Sequence, residues 1–541
     1  MATLRVAGFN GANLALHPKL LAETVGVSST NQWPGRGDLR PLCGPLNVAT
    51  VPAGQGTIYR LGKDVASDSA TWLSWANIVY PVRGFIADDT SERTYYTGEG
   101  VAKWTDTVKV LVSPRLLGVP APAAAPTVVA SGGVSTTTES RFYCATFVTD
   151  AGEESAPSPV STQLDCKLDA TVAISALSAA PAGNFGITLR RIYRTVSSTS
   201  GTEFFFLREI ASSLTTTSDD LRAVGEVLAT TTWLTPPGAA QGGALNTIEP
   251  VLSNLTGMWN GMMAGISGRT VRYCESYVPY AWPAAYETSF SEGTPVALAT
   301  FGQNLLVLTT SRPRIVTGGS PDSLDDQPLE FRQACVAPRS VVSMGHGVVY
   351  ACPDGLAYVG TSGYRMLTQG LMMRDDWQAL VPATMVGAQY EGNYIAFYND
   401  GVSTKGLMID PINPQGVYFL DFGYTASHLD DINDALYVLD GVNVRKWNKG
   451  STLTTTFKSK EFRMPQPMPG FACAEVVAGS YPATFKLYAD GVLKHTQTVA
   501  SRTSFRLPGG YHANDFQIEV STSGTVQAVV MAHSMTELAT S

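Results

Sequence analysis

The chain has 541 residues, a formal net charge of −8 and a charged content of 15%, which is low against the typical value of about 25%. An acidic chain does not grip nucleic acid, because phosphate binding needs clustered Lys and Arg, although it can form a wall past which nucleic acid slides. Hydrophobic content of 44%, with 51 Gly and 32 Pro, predicts packed cores with many turns, and the length alone suggests roughly three to four domains.

The seven cysteines are scattered along the chain and form no CxxC pair: Cys43, Cys144, Cys166, Cys274, Cys335, Cys352 and Cys473. This pattern predicts buried free thiols in a reducing compartment, with no metal cluster and no cofactor. The start MATLRVAGFNGAN lacks the apolar core of a signal peptide, and no run reaches the ~18 apolar residues of a membrane span. We therefore expect a chain made in the cytoplasm that has no membrane span.

Residues 1–118 read as an extended arm followed by strands. HPKLLAETV is expected to form a short helix, and the Pro-rich segment WPGRGDLRPLCGPLNV blocks regular structure. Strands are then predicted in GTIYRL, TWLSW, YPVRGFIAD and RTYYTGE. Their aromatic residues give each strand a face to bury, so they are expected to contribute to a propeller.

Residues 119–245 are predicted to be an inserted β-sandwich with flanking linkers. The Pro/Ala-rich stretch 119–133 is an extended spacer, and the Pro/Gly-rich stretch 235–250 is a second linker. Between them, short strands with turn signals indicate a small sandwich. YCATFVTDAGEESAPSPVS resembles the strand and loop of fibronectin type III modules, and any antiparallel sandwich fits nearly as well.

Residues 246–450 repeat a unit of strands separated by tight turns. The first turn of each unit is marked by Gly261, Gly302, His346, Gly392 and Asp434, about 41 to 46 residues apart. A four-stranded unit at a period of roughly 40–45 residues is typical of a β-propeller blade. One helix-like piece, MMRDDWQAL, lies between two units, and Trp377 is its expected anchor.

Residues 451–541 alternate apolar and polar residues with a period of two, which predicts a second β-sandwich. KLYADGVLKHT is a predicted hairpin, because Asp490-Gly491 lies between alternating strands. The predicted fold class is therefore all-β: a β-propeller with an inserted fibronectin-like β-sandwich and a C-terminal β-sandwich.

Two sets of residues resemble recognition or metal sites. Arg36-Gly37-Asp38 matches an adhesion tripeptide, but a glycine turn between Pro-rich pieces is the better interpretation. His428 with Asp430 and Asp431 could ligate a cation, although one His and two Asp in a loop usually form a solvated turn. Neither set is assigned as a site.

Two pairs of adjacent acids, Asp325-Asp326 and Asp375-Asp376, are candidates for glycoside cleavage. Neighbouring residues in a strand point to opposite faces, whereas acid–base catalysis needs two carboxylates that face one substrate. The chain contains no GxSxG, HExxH or Gly-rich phosphate loop. We therefore predict no catalytic, cofactor-binding or metal-binding residues and no enzyme activity.

Two surface motifs stay open. Asn254-Leu255-Thr256 fits the glycosylation sequon, which matters only in a secreted protein. The aromatic residues of YVPYAWP, residues 277–283, could form a sugar-binding platform. Aromatic–proline packing beneath a blade is at least as good an interpretation.

Several stretches together resemble the tail nozzle proteins of short-tailed bacteriophages, also called tail tubular or stabilisation proteins. The resemblance covers most of the chain and is weakest after about Ser451. It rests on the order of PKLL, GDLRPL, FYCATFVTDAGEESAPSPVS, RRIYRT, VRYCESYVPYAWPAAY, CVAPRSVVSMGHGVVYACPDGLAYVG and DDWQAL.

The resemblance implies a structural virion protein in the phage tail. Such a nozzle is expected to be a ring of six copies that extends the tail tube below the head-to-tail adaptor ring. It carries and gates the exit channel for genomic DNA, without sequence-specific binding, and it offers attachment sites for tail fibres or spikes. The alternative is a receptor-binding or glycan-degrading phage tail protein built on a propeller. The absence of Ser-x-Asp-x-Gly-x-Thr-Trp boxes counts against a sialidase-like version, and a cellular propeller scaffold is a third possibility.

Overall fold

The computed structural model describes residues 3–62, 68, 71–86, 89–111, 113–196, 203–220, 225 and 251–539. The described part of the chain is nearly all β, with little helix. The strands form many small antiparallel sheets. The predicted fold class is confirmed: the protein is all-β, with propeller-type sheets and β-sandwich parts.

The strands are numbered in chain order. Those before residue 120 are β1 (Leu4–Val6), β2 (Gly26–Thr30), β3 (Leu46–Thr50), β4 (Thr57–Leu61), β5 (Thr71–Trp75), β6 (Tyr80–Arg83), β7 (Thr94–Thr97), β8 (Lys103–Thr105) and β9 (Arg115–Leu116). The next eight are β10 (Thr127–Ser131), β11 (Thr138–Arg141), β12 (Tyr143–Thr149), β13 (Leu164–Lys167), β14 (Thr171–Ser175), β15 (Ile187–Val196), β16 (Glu203–Ala211) and β17 (Thr217–Asp219). The repeat region begins with β18 (Ser253–Gly257), β19 (Met263–Ser267), β20 (Thr270–Tyr273), β21 (Glu287–Ser289), β22 (Pro295–Phe301), β23 (Asn304–Thr309), β24 (Arg314–Thr317) and β25 (Asp325–Pro328). It continues with β26 (Val342–Ser343), β27 (Gly347–Cys352), β28 (Gly355–Gly360), β29 (Gly363–Met366), β30 (Val386–Tyr390), β31 (Asn393–Asn399), β32 (Thr404–Ile409), β33 (Tyr418–Leu420), β34 (Ala426–Asp430), β35 (Ala435–Asp440) and β36 (Asn443–Lys446). The last strands are β37 (Thr455–Ser459), β38 (Phe462–Pro469), β39 (Cys473–Ala478), β40 (Ala483–Ala489), β41 (Val492–Val499), β42 (Phe505–Arg506), β43 (His512–Thr522) and β44 (Val526–Ala532).

Helical structure is short throughout the described residues. The α-helices are α1 (Arg374–Ala379) and α2 (Met535–Ala539), and the 3₁₀ turns are Lys109–Leu111, Pro321–Ser323, Pro338–Ser340 and Pro382–Thr384.

The chain divides into two compact units, each with its own sheets. Unit 1 comprises residues 1–76, 310–313 and 330–541, and unit 2 comprises residues 77–309 and 314–329. The predicted domain limits at 118, 245 and 450 stay predictions, because this division follows contacts rather than chain order.

Unit 1 contains three blade-like sheets: β26–β29, β30–β33, and β34–β36 with β3. In the last of these, the early strand β3 pairs antiparallel with β36, for example Leu46 with Lys446. A strand from near the start of the chain thus fills the fourth place in a late sheet. The central strands β27 and β28 are buried at every residue, which explains their continuous apolar runs, since both faces of the sheet are covered.

Unit 1 also contains the C-terminal sandwich, which takes in strands from the start of the chain. β1 pairs with β44, and β2 pairs with β37. The sheet β30–β33 continues through β2 into β37, β43, β40 and β41. The second sheet of the sandwich is β1-β44-β39-β42. The apolar core of the sandwich includes Val6, Phe9, Leu39, Phe457, Phe485, Phe516 and Val529.

Unit 2 contains three further four-stranded sheets and the inserted sandwich. The four-stranded sheets are β6–β9, β18–β21 and β22–β25. The sandwich is built from β10-β14-β17, β11-β13 and β12-β15-β16. Its core includes Tyr143, Val172, Ile174, Ile192 and Leu207.

The predicted repeat corresponds to real sheets. Each marker lies in the turn between the first and second strands of a four-stranded unit, from β18–β19 through β34–β35. Asn260 and Gly261 have φ of 54° and 64°, and Glu391 and Gly392 have φ of 46° and 76°. These left-handed pairs are what a two-residue hairpin turn requires.

Two further local predictions are confirmed. Asp490 and Gly491 form the turn between β40 and β41 with φ of 45° and 77°. Helix α1 includes the buried Trp377, whose Nε1 donates to the carbonyl oxygen of Cys352 at 2.9 Å. That hydrogen bond anchors the helix to the end of strand β27.

Two local predictions are wrong. HPKLLAETV forms isolated turns and no helix, because so short a segment is marginal alone and its backbone bonds elsewhere: Asn10 N donates to Thr24 O, and Lys460 Nζ to Leu21 O. The 119–133 stretch is a spacer only in its first part, since β-branched residues let Thr127–Ser131 pair with β14. The predicted linker 235–250 lies outside the described residues.

Candidate functional site

The Arg36-Gly37-Asp38 segment is a fixed turn. Gly37 has φ of 79°, and its carbonyl oxygen accepts a hydrogen bond from Phe9 N at 2.9 Å. Asp38 forms an ion pair with Arg40 at 3.2 Å, while Arg36 is exposed. This geometry agrees with the interpretation as a glycine turn.

In the second candidate set, His428 with Asp430 and Asp431, one of the acids belongs to a buried ion pair. Asp430, at the end of β34, accepts a hydrogen bond from Arg60 Nη1 at 2.6 Å, and both side chains are at most 2% exposed. Asn433 Nδ2 also donates to Asp430 at 2.9 Å. Burial raises the pKa of Asp430, but the hydrogen bonds from Asn433 and the charge of Arg60 bring it below the usual value. Its carboxylate is therefore engaged by an arginine, which is incompatible with a cation site at His428, Asp430 and Asp431.

The ion pair belongs to a larger network between the β4–β5 hairpin and the β34–β36 sheet of unit 1. Asp68 accepts hydrogen bonds from Tyr437 Oη at 2.6 Å and from Lys446 Nζ at 2.9 Å. The ring of Trp72 packs edge-on against Tyr437, with centroids 4.8 Å apart. Burial raises the pKa of Asp68, but these two hydrogen bonds lower it below the usual value.

The His428 ring lies among aromatic groups in the same network. Its centroid is 4.8 Å from that of Tyr59 and 6.3 Å from that of Trp72. Alternation along β34 places His428 on the same face as Asp430. The structure makes both residues part of β34, the strand that holds the hairpin, and not part of a solvated turn.

Neither pair of adjacent acids converges on a common point. In β25, Asp326 forms an ion pair with Arg314, and the exposed Asp325 alternates to the other face. Asp375 and Asp376 lie in the first turn of α1, where carboxylates are stabilised by the positive end of the helix dipole. These roles are structural.

The sequon and the aromatic stretch are both partly interior. Asn254 is 4% exposed, and its Oδ1 accepts a hydrogen bond from Leu298 N at 2.9 Å, so this amide is not presented at the surface. In the aromatic stretch, Trp282 is 1% exposed and Tyr280 packs against the same core, whereas Tyr277 is 65% exposed. The interpretation as interior packing therefore fits Trp282 and Tyr280, whereas only Tyr277 is exposed as a surface platform would require.

The inserted sandwich contains a buried charge cluster that the sequence did not reveal. Asp219 is fully buried and accepts hydrogen bonds from Tyr143 Oη at 2.7 Å and from Arg194 at 2.8 Å. Arg141 lies 3.3 Å from the same oxygen and also pairs with Glu139. Two arginines face two carboxylates, so the cluster is balanced in charge, which is the condition for burying ions in a core.

The acidic turn after β12 contacts the region of the β6–β9 sheet. Asp150 pairs with Lys109 at 3.1 Å and with Arg115 at 2.5 Å. Glu153, which is 3% exposed, pairs with Arg93 at 2.9 Å. Burial raises the pKa of Glu153 to about 7, against the opposing charge of Arg93.

The third acid of this turn faces the sandwich instead. Glu154 accepts hydrogen bonds from Arg191 at 2.8 Å, from Tyr193 Oη at 2.7 Å and from Thr146 Oγ1 at 2.6 Å. The acidic turn was visible in the sequence, but its partners were not, because they lie on other strands. The acids of this turn thus hold the sandwich and the neighbouring sheet of unit 2 in a fixed arrangement.

The six buried thiols are unsuited to nucleophilic chemistry. All seven cysteines are free, and six are buried, as the sequence predicted. Burial raises the pKa of Cys144, Cys274 and Cys335 to about 12 and that of Cys352 to about 11. A buried thiol with a raised pKa is chemically inert near neutral pH.

Within the described ranges, no group of three or more His, Cys, Asp or Glu is arranged to hold a metal ion. Among the helices that the structure describes, none is long and apolar enough to cross a membrane. Asp430 and Asp326 are engaged by arginine, and Asp375 and Asp376 lie at a helix terminus, whereas Asp325 is exposed.

Comparisons with known proteins assign no family. A scan against models of protein families finds no match, and no curated protein matches. Solved structures that resemble the chain include the extracellular domain of a two-component system from B. thetaiotaomicron, with 8% identity over 92% of this chain and 61% of that chain and a TM-score of 0.27. Apo AztD from Citrobacter koseri is 12% identical over 64% of this chain and 96% of that chain, with a TM-score of 0.24. An exo-beta-1,3-galactanase from Phanerochaete chrysosporium is 7% identical over 75% of this chain and 100% of that chain, with a TM-score of 0.19. Likenesses this weak carry no argument about function.

Proposed function

We propose that this chain is a structural subunit of the tail nozzle of a short-tailed bacteriophage and that it has no catalytic role. The observation that carries the proposal is where the most family-like stretch falls. CVAPRSVVSMGHGVVYACPDGLAYVG and DDWQAL together span β26–β28 and helix α1. The hydrogen bond from Trp377 to Cys352 joins them into one element, so the resemblance follows a structural unit rather than a scattered motif.

The buried ion pairs support the role of a rigid structural subunit. Arg60, Asp430 and Asp219 are buried in paired clusters, and the acidic turn at 150–154 is fixed by basic side chains of neighbouring strands. Rigid sheets joined by such clusters suit a subunit that must keep its shape both when the channel is closed and when it is open.

In this proposal the subunits assemble into a ring, six copies being our expectation, below the head-to-tail adaptor ring. Heterologous contacts around a closed ring give cyclic symmetry. The net charge of −8 favours a lumen past which DNA moves without adhering. Tail fibres or spikes would attach to the outside of the ring in the virion.

Assembly with the adaptor tests the proposal. Purified protein, alone and mixed with portal–adaptor complexes, is measured by mass photometry and negative-stain imaging. We expect rings, or binding to the distal end of the adaptor. A chain that assembles only on the adaptor also supports the proposal, because assembly would then await completion of the head.

A different outcome would favour the alternative tail function. A monomer or trimer that ignores the adaptor and binds or cleaves host polysaccharide would indicate a receptor-binding or glycan-degrading protein. Turnover is measured as release of reducing ends from that polysaccharide. Polysaccharide cleavage by the purified chain would contradict a purely structural nozzle.

A further inference from the structure

Tyr277, at the turn after β20 in unit 2, is an exposed aromatic residue in a strained backbone conformation. It is 65% exposed and has φ of 60°. A bulky residue with positive φ is an outlier that persists only where the surroundings impose it, and such residues cluster at functional sites. Tyr277 N donates to Gly261 O at 3.0 Å, and Glu275 and Val278 form a bridge across the turn.

The Tyr277 ring rests on the β18–β19 hairpin turn. A Cβ atom added to Gly261 would lie 2.4 Å from Tyr277 Cδ1, a distance that no real contact allows. Gly261 itself has φ of 64°. Only glycine therefore fits under the ring. The backbone of Tyr277 is tied to the hairpin by its bond to Gly261 O, and most of its side chain faces solvent. A fixed aromatic surface binds a ligand with less loss of conformational freedom than a mobile one.

Polar groups lie on the hairpin that carries Gly261 and on the Gly318–Asp322 segment bonded to it. Asn260, next to Gly261, donates from Nδ2 to Gly319 O at 2.9 Å. Ser320 Oγ donates to Asp322 Oδ1 at 2.6 Å. Asn260 and Asp322 are exposed, so a surface amide adjoins Gly261 and a surface carboxylate lies on the segment to which that amide bonds.

Two more aromatic residues support the same region from below. Trp259 and Tyr286 pack at the edge of a buried core. Trp259 Nε1 donates to Gly318 O at 2.7 Å, and Tyr286 Oη donates to Glu275 Oε2 at 2.9 Å. The first bond ties the hairpin to the Gly318–Asp322 segment, and the second ties Tyr286 to the turn that carries Tyr277.

We infer that Tyr277, with Asn260 and Asp322, forms a shallow binding surface for a neutral hexopyranose of a polysaccharide. The C–H groups of a sugar ring are slightly positive and pack on the negative face of an aromatic ring. Its hydroxyl groups can donate to a carboxylate and accept from an amide. The carboxylates of Glu275 and Asp322 disfavour phosphate-bearing ligands, and the openness of Tyr277 differs from the enclosed cage that binds a quaternary ammonium group.

The inference concerns binding and not cleavage, and it does not depend on the nozzle proposal. It is tested by native electrophoresis of the full chain through gels that contain dextran, mannan or galactan. We expect at least one of these polysaccharides to retard the chain. Tyr277→Ala should weaken this binding by about tenfold, as expected for one lost stacking contact, whereas Tyr277→Trp should retain it.

The matched control is Val402→Ala, which trims a side chain that is 91% exposed in unit 1. It should migrate as the unchanged chain does, and circular dichroism shows whether each variant is folded. Absence of retardation in all three gels overturns the inference. Equal retardation of the Tyr277→Ala and Val402→Ala variants also overturns it. If Tyr277→Ala instead impairs adaptor binding while retardation persists, the residue is a protein contact and the sugar site is rejected, whatever the outcome for the nozzle.

Discussion

Glu153 shows how one buried acid makes stability depend on pH. It is 3% exposed and pairs with Arg93, and burial raises its pKa to about 7, above about 4.3 for an exposed glutamate. The folded chain therefore holds this proton more tightly than the unfolded chain does. Its contribution to stability is fully present below pH ~4.3 and is lost as pH rises through about 7.

Glu153→Gln should remove this pH-dependent contribution. We expect the fall in unfolding temperature between pH 5 and pH 8 to become smaller in the variant, because glutamine has no proton to release. Between pH 5 and pH 8 the unchanged chain should lose at most about 3 kcal/mol of unfolding free energy through this group, and the variant should not. It is measured by thermal unfolding followed by circular dichroism across this pH range.

Glu209→Gln is the control, since Glu209 also pairs with an arginine but is 36% exposed. The unfolding temperature of this variant should depend on pH as that of the unchanged chain does. If Glu153→Gln leaves the profile unaltered, the buried carboxylate does not take up a proton on folding.

At the scale of elements, the β4–β5 hairpin is held to the β34–β36 sheet by charge. The Arg60–Asp430 pair is buried, and Asp68 bonds to Tyr437 and Lys446. Asp430→Asn leaves Arg60 without its carboxylate and should destabilise unit 1 by about 3–5 kcal/mol. Chemical denaturation followed by tryptophan fluorescence measures the change.

The double variant Arg60→Met with Asp430→Asn should recover part of that loss, because no unpaired buried cation remains. Asp440→Asn is the matched control. It breaks the Arg445–Asp440 pair, whose side chains are 33% and 47% exposed, and should cost less than about 1 kcal/mol. Equal losses for the Asp430 and Asp440 variants would mean that the buried pair does not hold the hairpin.

Element prediction from the sequence succeeded where the signal was local. The turns at Asn260-Gly261 and Asp490-Gly491 and the helix around Trp377 depend on a few adjacent residues. HPKLLAETV failed because its backbone bonds to Asn10 and Lys460, and the second half of the 119–133 linker failed because Thr127–Ser131 finds a partner in β14. In both cases a distant segment decided the local structure.

At the scale of the whole molecule, net charge governs encounters with DNA. With a net charge of −8, we expect dissociation constants weaker than about 10⁻⁴ M for duplex DNA at both ~50 and ~150 mM salt. Fluorescence anisotropy of a labelled duplex measures this. Salt-sensitive binding in the micromolar range would indicate a basic surface that grips DNA, and a lumen past which DNA slides would then be untenable.

The sequence by itself determined the all-β class, the repeat of four-stranded sheets, the two sandwiches and the burial of the cysteines. Each of these follows from hydrophobic period, turn residues or composition, which are properties of neighbouring residues. Only the tertiary structure decided that β3 completes a sheet with β36, that β1 and β2 enter the C-terminal sandwich, and that Arg60 meets Asp430. It also separated the exposed Tyr277 from the buried Trp282. Strand pairing and ion pairing join residues hundreds of positions apart, and no local pattern in one sequence encodes which distant partner a strand or a charge will meet.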